Sequence, residues 1–367
     1  MVTDVAGLVV SLVLILFSAE LFTNGVEWLG HRLNLAEGAV GSVLAAVGTA
    51  LPETMVPIVA ILLVGGEASD QVGIGGILGA PFMLSTLAFA ITGLAALGYR
   101  RRRAQGSWVT INATVLRRDL TYFLFMYSLS ITAGIARFPG VHVVVPLVLL
   151  GGYLVYLYLN LREAGELNGD LSPLRLHAWF THLLLRPFAG EQEHEFRTRR
   201  HRHKRRPPRL RVIGGQVLLA LVGIMIGAHV FVHGVRAVSD LLGASPLLVA
   251  LILVPIATEL PEKFNSIIWM RQGKDTLAMG NITGAMVFQS SFPVSVGVAF
   301  TSWRLVAPAG QPQAALYSAA IALFSGAMLL ALSQRRAKGG RRTQIRPQFL
   351  LAGALLYLLF VALVFWI

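Results

Sequence analysis

The sequence predicts an all-α integral membrane protein of about ten transmembrane helices, arranged as two inverted five-helix repeats. Three observations carry that prediction. Only 13% of the 367 residues are charged and 55% are hydrophobic, where a globular domain carries about 25% charge. Apolar runs of roughly 18 residues or more, the length a bilayer core demands, recur along the chain. A Pro-Glu motif also occurs twice at a single offset. Thr49, Leu51, Pro52 and Glu53 stand 209 positions before Thr258, Leu260, Pro261 and Glu262, and Ala19 and Gly25 keep the same distance from Ala228 and Gly234.

Taken in order, the apolar runs place spans at 5–28, 38–64, 73–98, 119–136, 141–161, 212–236, 246–270, 278–301, 313–333 and 348–367. The first is read as a mature helix rather than a signal peptide. Met1–Ser18 lacks a basic start, and Glu20, Asn24 and Glu27 follow without a convincing cleavage site. The net charge of +13 gathers in three loops. One holds Arg100 to Arg103 with Arg117 and Arg118, one runs from Arg197 to Arg211, and one runs from Arg335 to Arg346. All three follow odd-numbered spans and so share one side. The positive-inside rule makes that side cytoplasmic, in a plasma or inner membrane, with both termini outside. Five spans precede the central loop and five follow it, so the halves enter the membrane in opposite directions. The expected division is a first repeat over 1–161, a basic linker over 162–211 and a second repeat over 212–367. Inverted repeats of this kind are a recurrent transporter architecture, with the site near the midplane.

The central linker is the one long hydrophilic stretch. Leu171–Leu185 reads as an amphipathic helix along the inner leaflet, and the basic run after it suits anionic lipid headgroups. His177, His182, His194, His201 and His203 match no regular metal-ligand spacing. Aromatic residues for base stacking are sparse in the basic run, so a nucleic-acid partner is not expected. The chain has no Cys, which excludes disulfides, thiolate metal sites and Cys nucleophiles. Neither an enzyme activity, nor a cofactor, nor an obligate protein partner is indicated.

Glu53 and Glu262 carry the chemistry. A carboxylate inside a spanning segment costs roughly 2.5–3.5 kcal/mol on insertion scales and so ordinarily faces a polar pathway. Apolar sequence continues to Val64 after Glu53 and, mostly, to Met270 after Glu262, so neither residue sits at a helix end. Pro52 and Pro261 each remove a backbone donor and free a carbonyl about one turn before the Glu. Thr49 and Thr258 lie four residues before it, on the same face of a continuous helix. Each repeat thus offers a carboxylate, a hydroxyl oxygen and a freed carbonyl. Two such sets make a hard-oxygen site that suits calcium or sodium better than magnesium, which demands a tight octahedron.

These motifs resemble the cation/calcium antiporters, in particular their sodium/calcium exchanger-like branch. That family carries G-T-S-x-P-E in its second and seventh helices and G-N-x-x-G-S-N-like motifs in its third and eighth. GTALPE at Gly48–Glu53 and ATELPE at Ala257–Glu262 match the first motif, and GNITGA at Gly280–Ala285 matches most of the second. AELFTNG at Ala19–Gly25 is similar to the helix leading into a repeat. The resemblance implies a secondary antiporter exchanging calcium for sodium, with transported cations as its partners. It implies Thr49, Glu53, Thr258 and Glu262 as ion ligands, joined by Asn281 and Gln289 from the eighth span. The chain departs from the family at Gly76, Ala80, Pro81 and Leu84 in one repeat and at Ala285 and Met286 in the other. Ser85, Thr86, Ser290 and Ser291 stand one or two positions later as substitutes. Missing oxygens there imply fewer sodium ions per cycle, or protons in their place.

Other polar residues fall into unlike pairs under the 209-residue offset: Glu20 with His229 and Asn24 with His233. The two His invite either a proton-linked role or an interhelical hydrogen bond. On a continuous helix Glu259 would point about 60° away from Glu262. It is expected to widen the acidic site or to pair with Lys263, and Lys263 to snorkel or pair outside the site. The glycines at Gly73, Gly75, Gly76 and Gly79 lack a phosphate-loop lysine and predict close helix packing instead. A proton-coupled or monovalent-cation exchanger is the alternative on the same fold. A channel, or a membrane anchor acting through the basic loop, accounts less well for paired carboxylates at a midplane site.

Overall fold

The computed structural model describes residues 2–32, 53–136, 139–163, 174, 209–307, 313–335 and 342–365. Helices dominate in chain order: α1 Val2–Arg32, α2 Glu53–Val64, α3 Glu67–Gly98, α4 Ala113–Ala136, α5 Val141–Glu163, α6 Leu210–Leu242, α7 Pro246–Thr258, α8 Leu260–Arg271, α9 Asp275–Gln289, α10 Phe292–Phe300, α11 Ala314–Arg335 and α12 Pro347–Phe365. Eight helical stretches among the described residues are long and apolar enough to cross a membrane, and α2 and the start of α7 are shorter apolar helices. Together they account for all ten expected spans. Three boundaries move by six residues, the sixth span running on to Leu242. The third span begins at Glu67, and the fourth begins at Ala113, so Arg117 and Arg118 are helical rather than part of a loop. The central linker with its amphipathic segment and its His and Arg run lies outside the described residues over 164–173 and 175–208.

The seventh span is broken. Ser245 caps α7 by accepting from the Leu248 N–H at 3.3 Å, and the helix stops at Thr258. Glu259, with φ −97° and ψ 11°, turns the chain into α8. Pro261 in the first turn of α8 lacks the donor that would have continued the earlier helix. The eighth span is interrupted as well, α9 ending at Gln289 and α10 starting at Phe292 with Pro293 in its first turn. At the equivalent place of the first repeat, 205 positions earlier, α3 widens into a π-helical turn at Leu84–Ala88. No Pro stands there, so the helix bulges without breaking.

Helices of the two halves pack on one another, α1 along α6 and α3 along α7. Two glycines permit the second contact. A Cβ on Gly75 would stand 2.3 Å from the Leu247 carbonyl oxygen, and one on Gly79 would stand 2.2 Å from that of Leu251. Any other residue would force the backbones apart, which is the packing role expected of this glycine run. Phe82, Phe123, Tyr127 and Phe360 fill the core beside them, with the rings of Phe82 and Phe360 centred 4.6 Å apart.

The loop ends segregate by parity of span. After the third span, β1 (Val109–Asn112) pairs antiparallel with β2 (Arg342–Ile345) after the ninth, in a register running from Val109 opposite Ile345 to Asn112 opposite Arg342. This strand pair was not anticipated from sequence. The loop after the seventh span joins them through Asp275, whose carboxylate accepts from the Thr110 N–H at 2.8 Å and from Arg103. At the opposite end, the Trp303 indole donates to the Ser130 carbonyl at 2.9 Å, and Arg236 lies 3.4 Å from the Ser69 hydroxyl. Loops after odd spans therefore meet on one side, and residues near the ends of even spans meet on the other.

Candidate functional site

The two Pro-Glu motifs come together. The carboxyl groups of Glu53 and Glu262 lie within hydrogen-bonding reach of one another, each residue only 4% exposed. Two carboxylates at that separation require a proton or a cation between them. Glu53 stands in the first described turn of α2, and Glu262 in the first turn of α8, where the orphan N–H groups of a helix start favour negative charge. Gln289, at the last turn of α9, donates its amide N–H to Glu53 Oε2. Glu53 Oε1, Glu259 Oε1 and Glu262 Oε2 are buried and accept from no donor among the described residues. Orphaned buried oxygens of this kind cost about 1–3 kcal/mol each, more for charged groups. Three such atoms in one cluster form a donor set fitted to a hard cation.

Glu259 pairs with Lys263, one of the two outcomes expected of it, but the pair lies within the cluster, which corrects the expected placement of the lysine outside the site. Lys263 neither snorkels nor leaves the site. It is 7% exposed, and its Nζ lies 3.4 Å from Glu259 Oε2. Because the helix breaks at Glu259, the rotation expected of a continuous helix does not carry this side chain away from Glu262. Glu259 acts electrostatically on Glu53, and Lys263 on Glu262.

The other expected ligands are less central. The Thr258 hydroxyl donates back to the Val254 carbonyl at 3.1 Å, at the end of α7, so the break separates it from the helix that bears Glu262. Thr49 and Pro52 lie outside the described residues. Asn281 is on α9, eight residues before Gln289, a rise of about 12 Å. Its Nδ2 is buried and reaches no acceptor. The substitute hydroxyls turn back on their own helices: Ser85 and Thr86 to the Phe82 carbonyl at 3.1 and 2.6 Å, Ser290 and Ser291 to that of Val287 at 3.0 and 2.8 Å. At Gly76 a Cβ would meet Val254 Cγ1 at 3.0 Å, so the position where the family carries Asn has little room for a side chain.

His229 and His233 do not face the cluster. They lie exposed on the outer side of α6 with ring centroids 4.8 Å apart. The bond between α1 and α6 is made instead by Gln216, which donates to Asn24 Oδ1 at 3.1 Å and to the Leu21 carbonyl at 2.8 Å. A further buried carboxylate escaped the sequence reading. Asp119, 1% exposed, accepts from Tyr156 at 2.9 Å and from Thr283 at 2.6 Å. A span start drawn at residue 119 made it interfacial, whereas α4 begins two turns earlier. Its Thr283 partner sits on the helix that carries Gln289, so this bond helps set the depth of α9.

Comparison with known proteins places the chain. The profile of the family described as "Sodium/calcium exchanger protein" matches residues 3–162 and 213–367. The putative antiporter CaxA of Alkalimonas amylolytica is 25% identical over 326 residues, 86% of each chain. Among solved structures, an H+/Ca2+ exchanger CAX superposes with a TM-score of 0.65 at 16% identity, covering 98% of this chain and 81% of that one. The sodium-calcium exchanger NCX_Mj superposes at 0.55 with 18% identity, covering 99% and 98%. At these identities the two superpositions speak to the fold alone.

Proposed function

The chain belongs to the sodium/calcium exchanger protein family, and from that premise we propose that it is a secondary antiporter exchanging calcium for sodium by alternating access, with Glu53 and Glu262 as the central calcium ligands. The observation that carries this reading is the meeting of one buried carboxylate from each half, with acceptor oxygens that no donor among the described residues reaches. A carboxylate pair shared by inverted halves can open to either side while its ligands stay with their own helices. Thr49, Thr258 and Gln289 supply neutral oxygens around the pair. Asn281 serves an ion between the pair and the end where the basic loops gather. That end is cytoplasmic in this reading, of a plasma or inner membrane, and the basic linker rests on anionic headgroups there.

Proton coupling is the second reading, and one set of observations favours it. Several sodium ions need several oxygen cages. Here Gly76 is hemmed in, Leu84 is fully buried, and the neighbouring hydroxyls are engaged with their own helices. Carboxylates take protons without a cage. The name of the CaxA relative, a putative antiporter, is compatible with either reading.

The deciding measurement is calcium flux in proteoliposomes of the full chain, with sodium, proton and calcium gradients imposed one at a time. Steep sigmoidal dependence on sodium without response to a pH gradient establishes sodium coupling; calcium movement driven by a pH gradient alone establishes protons. No calcium movement under any gradient would reject the exchanger reading. Orientation has its own test, made simple by the absence of native Cys. A Cys at Glu67 is expected to react with an impermeant thiol reagent in intact cells, and one at Gln105, Gln192 or Lys338 only after permeabilisation. Labelling of the Glu67 and Gln192 positions from the same side would end the inverted arrangement.

A further inference from the structure

Lys263 places an ammonium group among the carboxylates of a site that would otherwise be a cation cage. Its Nζ lies 3.4 Å from Glu259 Oε2, 3.5 Å from the Pro255 carbonyl oxygen and 3.2 Å from Met83 Sδ. The two oxygens are donors of the kind a bound monovalent cation takes, one carboxylate and one backbone carbonyl. The thioether comes from α3 of the other half. Helix geometry holds the ammonium there: Glu259 occupies the break, and Lys263 follows one turn into α8 on the same side. Lys263 has no exposed route, since only 8% of its side chain is accessible. A long, flexible side chain is held in the interior, at an entropic and desolvation cost that an acidic cavity offsets.

Charge gives the placement its meaning. Glu53, Glu259 and Glu262 share one buried cluster with this ammonium, which pairs with Glu259, so the fully ionised cluster carries a formal −2, three negative charges against one positive. One divalent cation neutralises that cluster, and so do two monovalent ones. Without the lysine the same cluster would carry −3 and would need one more monovalent charge in every state of the cycle.

We propose that Lys263 is a tethered counter-cation: it fills one monovalent-cation position beside Glu259 and thereby lowers by one the number of coupling ions the site takes up. The proposal rests on the reading of this cluster as the cation site. It explains how a chain short of oxygen cages still balances its carboxylates. The device is a specificity-determining side chain, and the ligand class it replaces is a desolvated monovalent metal ion.

The test uses the purified full chain and reads ion linkage without requiring flux. Apparent melting temperature is measured against sodium chloride and potassium chloride, with choline chloride holding ionic strength constant, for the wild type, Lys263→Met and the double variant Glu259→Gln/Lys263→Met. Lys263→Met is expected to melt below wild type in choline and to gain several degrees between roughly 1 and 100 mM sodium or potassium, with a steeper dependence on ion concentration than wild type. The double variant, which removes both charges, is expected to return to the wild-type slope. Equal slopes for Lys263→Met and wild type would overturn the proposal and leave Lys263 as half of a structural ion pair. Should Lys263→Met yield protein only when sodium or potassium is present, the added ion is demonstrated directly. Should it yield none in any salt, Lys263→Gln replaces it with the same two outcomes. Failure of the exchanger reading shows separately, as absence of calcium flux in the wild type while the variants still differ in ion linkage.

Discussion

Glu53→Gln and Glu262→Gln are each expected to abolish calcium exchange while leaving the fold intact. Glutamine keeps the shape of the side chain and removes one full ligand charge. Removing one partner of a buried, hydrogen-bonded charge pair costs about 2–5 kcal/mol, and each 1.4 kcal/mol is a factor of ten, so calcium affinity should fall by at least ~30-fold. Stability without calcium should hold or rise, because the two carboxyls lie within hydrogen-bonding reach and each variant relieves a like-charge contact. Glu53→Gln also places an amide opposite Gln289, which can reorient to donate or accept. The measurements are calcium flux in proteoliposomes and melting temperature with and without calcium. Flux near the wild-type rate in either variant would reject the site; loss of the folded protein in both would show that the carboxylates hold the helices together instead.

The second large effect is expected far from the carboxylates. Arg103 and Asp275 form an ion pair with side chains 0% and 1% exposed, and Arg103 Nη2 lies 2.6 Å from both carboxylate oxygens. Arg103 Nε and Nη1 reach no acceptor among the described residues, where the guanidinium depends on Asp275 and on the Trp108 carbonyl at 3.1 Å. Asp275→Asn leaves a buried, uncompensated cation at a cost of about 3–5 kcal/mol. The apparent melting temperature should drop by roughly 5–10 °C. Replacing both residues, as Arg103→Met/Asp275→Leu, should recover part of that loss, because a buried ion pair is worth little more than well-packed apolar side chains. Recovery will be incomplete, since the Thr110 N–H also loses its acceptor. A melting temperature for Asp275→Asn within a degree of wild type would show that the pair is not structurally important. Function is tied to this pair because Asp275 starts α9 and Gln289, the donor to Glu53, ends it.

Much of the architecture was legible in the chain because it is written in linear quantities. Length of apolar run, placement of Arg among the loops and a repeated Pro-Glu at one offset need no knowledge of neighbours. They give the membrane class, the ten spans, the parity of the loops and the two carboxylates. The glycines at Gly75 and Gly79 were also legible, since a run of small residues on a spanning helix has few uses besides close approach of another helix.

Tertiary structure alone decided what depends on rotation and on distant partners. A Pro-Glu motif says that a helix is perturbed, but not whether it bends or stops. The stop at Glu259 is what carries Lys263 inward, against the snorkelling its sequence position suggested. Pairing of β1 with β2 joins segments more than 200 residues apart, and no local preference in either four-residue strand announces the other. Asp119 was hidden by an error of six residues in a helix start, enough to turn a buried carboxylate into an interfacial one. The sequence by itself determined that this protein spans a membrane as two related halves, each bringing a carboxylate, because hydrophobic length and internal repetition survive in one dimension. Only the folded chain decided that the Glu259–Lys263 pair lies buried among those carboxylates, because the direction of a side chain beyond a broken helix is set by what packs against it.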